Sequence, residues 1–188
     1  MGLRGALRML ALVALAAPTL AACGGSSKKL TTSSSTPNAS FSVLIGAGMD
    51  LLRQGNPSAA KQLFAQAVAR KPNNPVGHYD LGVALQREGD SRDAVRQYRL
   101  ALAQDPKYTP ALYNEALIIA PRDAPLAIFY YRRILAVKPD SPTALLNLGL
   151  LQAAGHWPRR IVKKTLRRAV QLDPSLRADI PARLRRGL

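Results

Sequence analysis

The sequence predicts an all-α repeat protein. Four prolines close successive apolar stretches at intervals of 34, 33 and 35 residues: Pro72, Pro106, Pro139 and Pro174. Gly48 and Gly82 also lie 34 residues apart, as do Ala60 and Ala94. A fixed period of this length is typical of stacked supersecondary units. Hydrophobic residues make up 47% of the 188 residues and aromatic residues 5%. The abundance of alanine and leucine favours helices and excludes a disordered chain.

The residues between the apolar stretches predict two helices in each period. Capping side chains stand before a proline that suits the first helical position: Asn56-Pro57, Asn74-Pro75, Thr109-Pro110 and Ser141-Pro142. Asp90 is a further expected cap, and Gly55, Gly89 and Gly155 are expected to end the first helices. The third period is one residue short and has no glycine at this point, so we expect a tighter turn over residues 120–123.

The repeated positions resemble those of the tetratricopeptide repeat (TPR). The second period carries the most complete set: His78, Leu81-Gly82, Leu85, Ala94, Tyr98, Ala101 and Pro106. The resemblance implies a TPR-type α-solenoid of antiparallel helix hairpins over residues 41–174, closed by a basic capping helix over residues 175–188. The implied repeats are 41–74, 75–108, 109–141 and 142–174.

Small and large residues mark the expected helix crossings. Three glycines stand where the two helices of a hairpin are expected to cross: Gly48, Gly82 and Gly149. Small residues are expected opposite them: Ala60, Ala94 and Ala127. Large residues are expected to fill the seam between hairpins: Phe64, Tyr98, Tyr131 and Leu166.

The TPR resemblance also implies a partner groove, because the first helix of each repeat lines the concave face of that family. The corresponding residues are mostly apolar: Ile45, Met49, Tyr79, Val83, Tyr113, Leu117, Leu146 and Leu150. Asn114 and Asn147 follow two of them and are expected to hydrogen-bond the backbone of a protein or peptide partner. Lysine is absent from these positions, so capture of a C-terminal carboxylate is not expected. The alternative is that several of these residues pack between repeats.

Basic doublets recur every four residues near the C-terminus: Arg159, Arg160, Lys163, Lys164, Arg167 and Arg168. At 100° per residue they share one half of a helix. They are either a contact for an anionic lipid, an acidic wall polymer or an acidic partner, or a solvated outer face. Residues 159–188 hold ten basic and two acidic side chains, whereas residues 41–158 hold 13 and 9. The formal net charge of +16 is therefore concentrated at one end.

No grouping of residues indicates an enzyme. His78 is expected to be a packed core residue, and His156 lies in a turn without a neighbouring carboxylate or cysteine. Zinc-ligand spacing, a glycine-rich phosphate loop and a nucleophile elbow are all absent from the sequence. We therefore expect neither catalysis nor a metal site, and no cofactor.

The N-terminus has the features of a secretion signal over residues 1–22. Arg4 and Arg8 precede an apolar run, Met9–Ala17, that is too short to span a bilayer. Leu20-Ala21-Ala22-Cys23 resembles the lipobox of bacterial lipoproteins, which implies cleavage before Cys23 and a lipid on its sulfur. An ordinary signal peptide with an incidental cysteine, or an uncleaved anchor, remain the alternatives. A single cysteine also excludes an intramolecular disulfide.

Residues 23–40 are rich in Ser, Thr and Gly and are expected to form a flexible linker. Together these features predict a lipid-anchored protein on the extracytoplasmic side of a bacterial cell membrane, where nucleic acid is not an expected partner. Its expected function is that of a protein-interaction scaffold or assembly factor in the cell envelope. The alternative is a structural surface protein that docks on anionic lipid or cell-wall polymer through its basic C-terminal helices.

Overall fold

The computed structural model describes residues 39–188. The predicted signal peptide, Cys23 and most of the predicted linker lie outside these residues. Eight helices fill most of the described chain: α1 Phe41–Arg53, α2 Pro57–Arg70, α3 Pro75–Glu88, α4 Ser91–Gln104, α5 Thr109–Ile119, α6 Ala124–Val137, α7 Pro142–Ala154 and α8 Arg159–Leu172. A 3₁₀ helix, Pro174–Asp179, and a short α9, Ala182–Arg185, follow them.

The helices pack as four hairpins that stack in chain order. Each odd-numbered helix from α1 to α7 packs on the helix that follows it, and each hairpin then contacts the first helix of the next hairpin. The first helices α1 and α3 also touch directly. Residues 39–188 contain no strand, so the predicted all-α solenoid of helix hairpins is confirmed. We call the surface formed by α1, α3, α5 and α7 the inner face.

Capping side chains fix most of the helix starts that the sequence indicates. Asn56 accepts a hydrogen bond from the backbone nitrogen of Ala59 at 3.1 Å, and Asp90 accepts one from that of Asp93 at 3.1 Å. Asn74 caps α3 in the same way. The prediction was wrong for Thr109, which is already helical after the cap residue Tyr108. Ser141 precedes α7 at the cap position as predicted, with Pro142 as the first helical residue, but its side chain makes no cap bond.

The third period is one residue shorter because its first helix, α5, is short. Helix α5 has 11 residues, whereas α1 and α7 have 13 and α3 has 14. Four residues still separate α5 from α6, so the predicted tighter turn was wrong. Asp123 closes this turn by accepting a hydrogen bond from the backbone nitrogen of Leu126 at 2.9 Å. In the fourth hairpin the left-handed conformation is taken by His156, at φ 56°, instead of Gly155.

Glycine lets the two helices of a hairpin approach each other beneath a large side chain. A Cβ atom on Gly82 would lie 2.6 Å from Cε1 of Tyr98, and one on Gly149 would lie 2.5 Å from Cδ2 of Leu166. Gly48 and Phe64 form the equivalent contact in the first hairpin. The large residues therefore cover the glycine of their own hairpin, where small alanines had been expected.

A buried carboxylate joins the second and third hairpins. Glu115 on α5 is completely buried and stands at the repeat position that Leu81 and Leu148 occupy elsewhere. Its Oε1 accepts hydrogen bonds from Nε of Arg99 on α4 at 2.7 Å and from the hydroxyl of Tyr130 on α6 at 3.1 Å. Three successive helices thus meet at one side chain.

The C-terminal cap differs from the single helix predicted over residues 175–188. The 3₁₀ helix carries Leu176, which is buried, and is followed by Ile180, which is completely buried. Both residues pack with Val162 and Leu166 of α8. Pro181 then starts the four-residue α9. The segment covers α8 as predicted, but it does so with two short turns.

We expect Gly82→Ala to lower the free energy of unfolding by about 1–3 kcal/mol, because the added methyl group overlaps the Tyr98 ring. Gly46→Ala is the matched control, since nothing lies within 4 Å of the added Cβ. There we expect about 0.5–1 kcal/mol of stabilisation from the helical backbone alone. Urea unfolding followed by circular dichroism measures both values. Equal effects of the two substitutions would contradict the proposed crossing.

Candidate partner-binding face

The predicted groove residues differ in exposure. Leu146 is buried, with 3% of its surface exposed, and packs with Val162 and Leu166. It is therefore a core residue, and its prediction as a groove contact was wrong. Met49 is exposed. The other six apolar positions are half-buried: Ile45, Tyr79, Val83, Tyr113, Leu117 and Leu150. These residues pack between hairpins and also contribute to the inner face.

Two tyrosines of the inner face are held by neighbouring aromatic rings. The ring centroid of Tyr79 lies 5.5 Å from that of Tyr108, edge to face, and 5.9 Å from that of Tyr98. The ring of Tyr113 packs edge to face on Tyr131 at 6.0 Å. Such contacts fix the orientation of a ring while one side of it stays accessible.

The two asparagines connect hairpins. Nδ2 of Asn114 donates a hydrogen bond to the hydroxyl of Tyr98 at 3.3 Å, and Nδ2 of Asn147 donates one to the hydroxyl of Tyr113 at 3.1 Å. Asn147 is also buried. One N–H of Asn147 is thus used to position Tyr113 of the preceding hairpin, and its predicted hydrogen bond to a partner's backbone stays a prediction. Asn114 is half-buried and has the same role toward Tyr98.

Asp80 on α3 belongs to the inner face, and the sequence analysis missed it. Only 5% of its surface is exposed, and no hydrogen bond or ion pair joins it to another residue of 39–188. Burial raises the pKa of its carboxyl to about 6. The signal in the sequence was its place directly after Tyr79, since Asn114 and Asn147 hold the equivalent place in the next two repeats.

Three tyrosines surround this carboxylate. Burial, and after it the charge of Asp80, raises the pKa of Tyr79. The same two causes raise the pKa of Tyr108 to about 12. Burial is also the main cause of the raised pKa of Tyr98, to which Asp80 again contributes. Asp80 therefore lies within electrostatic range of all three hydroxyl groups.

The basic doublets of α8 are not equivalent. Arg168 pairs with Asp140 at 2.6 Å, and Arg167 donates to the backbone oxygen of Gly187 at 2.8 Å. Lys163 is half-buried. Among the six basic residues predicted as an anionic contact, Arg168 therefore already has an acidic partner. The remaining three are exposed and make no ion pair with residues 39–188: Arg159, Arg160 and Lys164.

His78 is a packed residue, as predicted, with 7% of its surface exposed. Its ring nitrogens lie 2.9 Å from Oε1 of Gln97 and 2.8 Å from the backbone oxygen of Pro72. Within residues 39–188, no three His, Cys, Asp or Glu side chains are placed to hold a metal ion. Each helix of this part is too short or too polar to cross a bilayer.

A second concave region, of about 660 Å³, lies between α4, α5 and α6 and away from the inner face. Its floor is apolar and four arginines surround it: Arg92, Arg96, Arg99 and Arg122. Arg99 is paired with Glu115, and Arg96 lies 3.3 Å from Asp93. Much of the charge at this cleft is thus already balanced.

Residues 51–117 match the family model described as tetratricopeptide repeat. The fold is a TPR solenoid. Photosystem I assembly protein Ycf3 of Cyanophora paradoxa is 34% identical over 93 residues, which is 46% of this chain and 53% of that protein. A probable UDP-N-acetylglucosamine–peptide N-acetylglucosaminyltransferase SPINDLY of Solanum lycopersicum is 32% identical over 80 residues, 43% of this chain and 9% of that protein. The chain thus spans about half or less of the length of these relatives.

Solved structures agree with the TPR fold. The crystal structure of MamA superposes with a TM-score of 0.67 at 21% identity, over 74% of this chain and 81% of that one. The first TPR of Spaghetti (RPAP3), bound to the HSP90 peptide SRMEEVD, superposes with a TM-score of 0.58 at 23% identity, over 61% and 91% of the two chains. At these identities the likeness establishes the fold alone.

We expect Asp80→Asn to stabilise the protein at pH 8. The carboxyl has a pKa of about 6 when folded and of about 3.9 when unfolded. The folded state therefore holds the extra proton, and the contribution of Asp80 to stability falls as the pH rises from about 4 through 6. Asparagine does not ionise, so its advantage reaches about 3 kcal/mol at pH 8 and disappears near pH 4.

Urea unfolding at pH 4, 6 and 8 measures this dependence. Asp50→Asn is the matched control, because that carboxylate is exposed and pairs with Arg53 at the surface. We expect it to change the free energy of unfolding by less than about 1 kcal/mol at each pH. A destabilising effect of Asp80→Asn at pH 8 would contradict the unpaired state of this carboxylate.

Proposed function

We propose that this protein is a membrane-anchored, extracytoplasmic TPR lipoprotein that holds a protein or peptide partner on its inner face. In this role it acts as a non-catalytic scaffold or assembly factor in the bacterial cell envelope. The observation that carries the proposal is the placement of Tyr79 and Tyr113. Both lie on first helices of adjacent hairpins, and each ring packs on a neighbouring ring while remaining half-exposed.

The energetics of interfaces favour such residues. A rigid tyrosine contributes a large contact area at a small cost in side-chain entropy, and it is enriched among the residues that dominate binding. The similar chain Ycf3 is named an assembly protein, and the TPR of Spaghetti was solved with a bound peptide. Both support a binding function for a fold of this kind.

The proposed anchor rests on the sequence around Cys23. A diacylglyceryl group on this sulfur supplies two acyl chains, which suffice for stable attachment to a bilayer. As a flexible coil, which its composition predicts, the Ser/Thr/Gly-rich segment 24–40 would have an average reach of roughly 20–25 Å. It would separate the solenoid from the lipid surface and leave the inner face accessible to a partner.

A second candidate function is docking of the solenoid on an anionic lipid or cell-wall polymer. The specific observation is the exposed group of Arg159, Arg160 and Lys164 at the start of α8, which has no acidic partner in residues 39–188. Near an anionic membrane each such side chain contributes about 1 kcal/mol.

We expect the double substitution Tyr79→Ala and Tyr113→Ala to abolish partner capture. Crosslinking in native envelopes, followed by affinity purification and mass spectrometry, measures the capture. Phe129→Ala is the matched control, because this aromatic residue is 53% exposed on the second helix α6. Circular dichroism of each variant verifies that helicity is retained. An unchanged set of crosslinked proteins in a folded double variant would exclude the inner face as the binding surface.

For the second candidate, we expect reversal of Arg159, Arg160 and Lys164 to Glu to weaken binding to phosphatidylglycerol vesicles by at least about 100-fold. The experiment uses a Cys23→Ser background so that acyl chains do not contribute. Reversal of Arg92, Arg122 and Lys138 gives the same change in net charge from exposed positions elsewhere. Vesicle sedimentation at increasing salt measures both variants. Equal losses would indicate a general charge effect and reject a docking site on α8.

A further inference from the structure

Asp80 is a buried carboxylate without a compensating group. Buried carboxylates are ordinarily paired with a cation or accept several hydrogen bonds, because the loss of hydration is costly. Asp80 has neither within residues 39–188, although only 5% of its surface is exposed. Burial is the single cause of its raised pKa, since no nearby cation lowers it.

The tip of this carboxylate is nevertheless open to solvent. The sealed polar side-chain atoms without a partner in residues 39–188 are Oε2 of Glu115, the hydroxyl of Tyr131 and Oε1 of Gln152. The oxygens of Asp80 are not among them, although they too make no hydrogen bond. The Asp80 oxygens therefore keep some contact with solvent.

Three tyrosines lie within electrostatic range of this carboxylate. Tyr79 and Tyr108 are both half-buried, and their ring centroids lie 5.5 Å apart at an interplanar angle of 71°. Tyr98, which is completely buried, lies 5.9 Å from Tyr79 on the inner side. The faces of such rings attract cations, most strongly where water is excluded.

Two donor side chains of this region are directed to other acceptors. Nη1 of Arg87 donates to the backbone oxygen of Leu52 at 2.8 Å, at the C-terminal end of α1. Nδ2 of Asn114 is bonded to the hydroxyl of Tyr98. Val83 and Tyr113, two other residues of the inner face, carry no charge. This position thus combines a negative charge, nearby aromatic rings and a carboxylate that accepts no hydrogen bond within residues 39–188.

We propose that Asp80, Tyr79 and Tyr108 form a pocket for the ammonium group of a lysine side chain supplied by the partner. This inference rests on the proposed binding function of the inner face and specifies the chemistry of its occupant. A lysine ammonium suits the opening because it is compact and carries three donors on a thin aliphatic stem. The planar guanidinium of arginine needs a wider approach for its paired donors. The stem of lysine lies against the rings while its charge meets the carboxylate.

The test is a titration of the full chain, with labelled backbone nitrogen and tyrosine rings, by n-butylammonium chloride at pH 8 and constant ionic strength. This cation has the aliphatic stem and charge of a lysine side chain. We expect saturable shifts of the ring signals of Tyr79 and Tyr108 and of the amide of Asp80. The neutral analogue 1-butanol is expected to leave these signals in place.

Asp80→Asn removes the charge and keeps the size of the side chain, and we expect it to weaken butylammonium binding at least about tenfold. Asp50→Asn makes the same change in net charge on α1 and is expected to bind like the parent. Absence of a saturable shift in the parent, equal shifts with 1-butanol, or unchanged binding by Asp80→Asn would each overturn the proposal.

Partner capture separates this proposal from the proposed function. Loss of capture by the double tyrosine variant, with normal capture by Asp80→Asn, would retain the inner face as a binding surface and overturn the lysine pocket. Unchanged capture by the folded double tyrosine variant would overturn both the inner-face function and the pocket. Loss of capture in both variants, together with the butylammonium result, supports both.

Discussion

The close crossing of two helices beneath one large side chain is the contact on which the rest of the molecule depends. Gly82 has no side chain, and Tyr98 lies directly over it. The same ring carries a hydroxyl that donates to Gln86 at 2.7 Å and accepts from Asn114 of the next hairpin. One side chain therefore closes its own hairpin, sets the position of the following one and supports the ring of Tyr79. The geometry of the inner face is thus a consequence of the core packing beneath it.

The parts of the structure that the sequence predicted are those that local sterics determine. A glycine that allows a crossing, an asparagine that caps a helix and a proline that starts one act within a few residues, as at Gly82, Asn56 and Pro75. The bond between Asn147 and Tyr113 could not be predicted from the sequence, because Tyr113 lies 34 residues away in the preceding hairpin.

Asp80 shows the same contrast, between local features that the sequence predicts and contacts that form between repeats, within the candidate site. Alignment of the repeats compares equivalent positions and indicates a mostly apolar inner face. It does not indicate that the single acidic residue beside Tyr79 is buried. Tyr108, which lies within electrostatic range of Asp80, belongs to the connection before α5 and approaches Tyr79 only when the hairpins stack. The absence of a hydrogen-bond donor to the Asp80 carboxylate within residues 39–188 is likewise a property of the assembled repeats. Sequence periodicity located the face, and packing between repeats determined its electrostatics.

The C-terminal segment gives the array a direction. Arg167 and Arg177 donate to the backbone oxygens of Gly187 and Leu188, while Ile180 fills the apolar end of the last hairpin. At the opposite end, among the residues described, nothing covers α1, where Val43 is 58% exposed. The two ends are therefore inequivalent, one sealed and one open. The cover that the C-terminal segment gives to the apolar end of the last hairpin thus has no counterpart on α1 within residues 39–188.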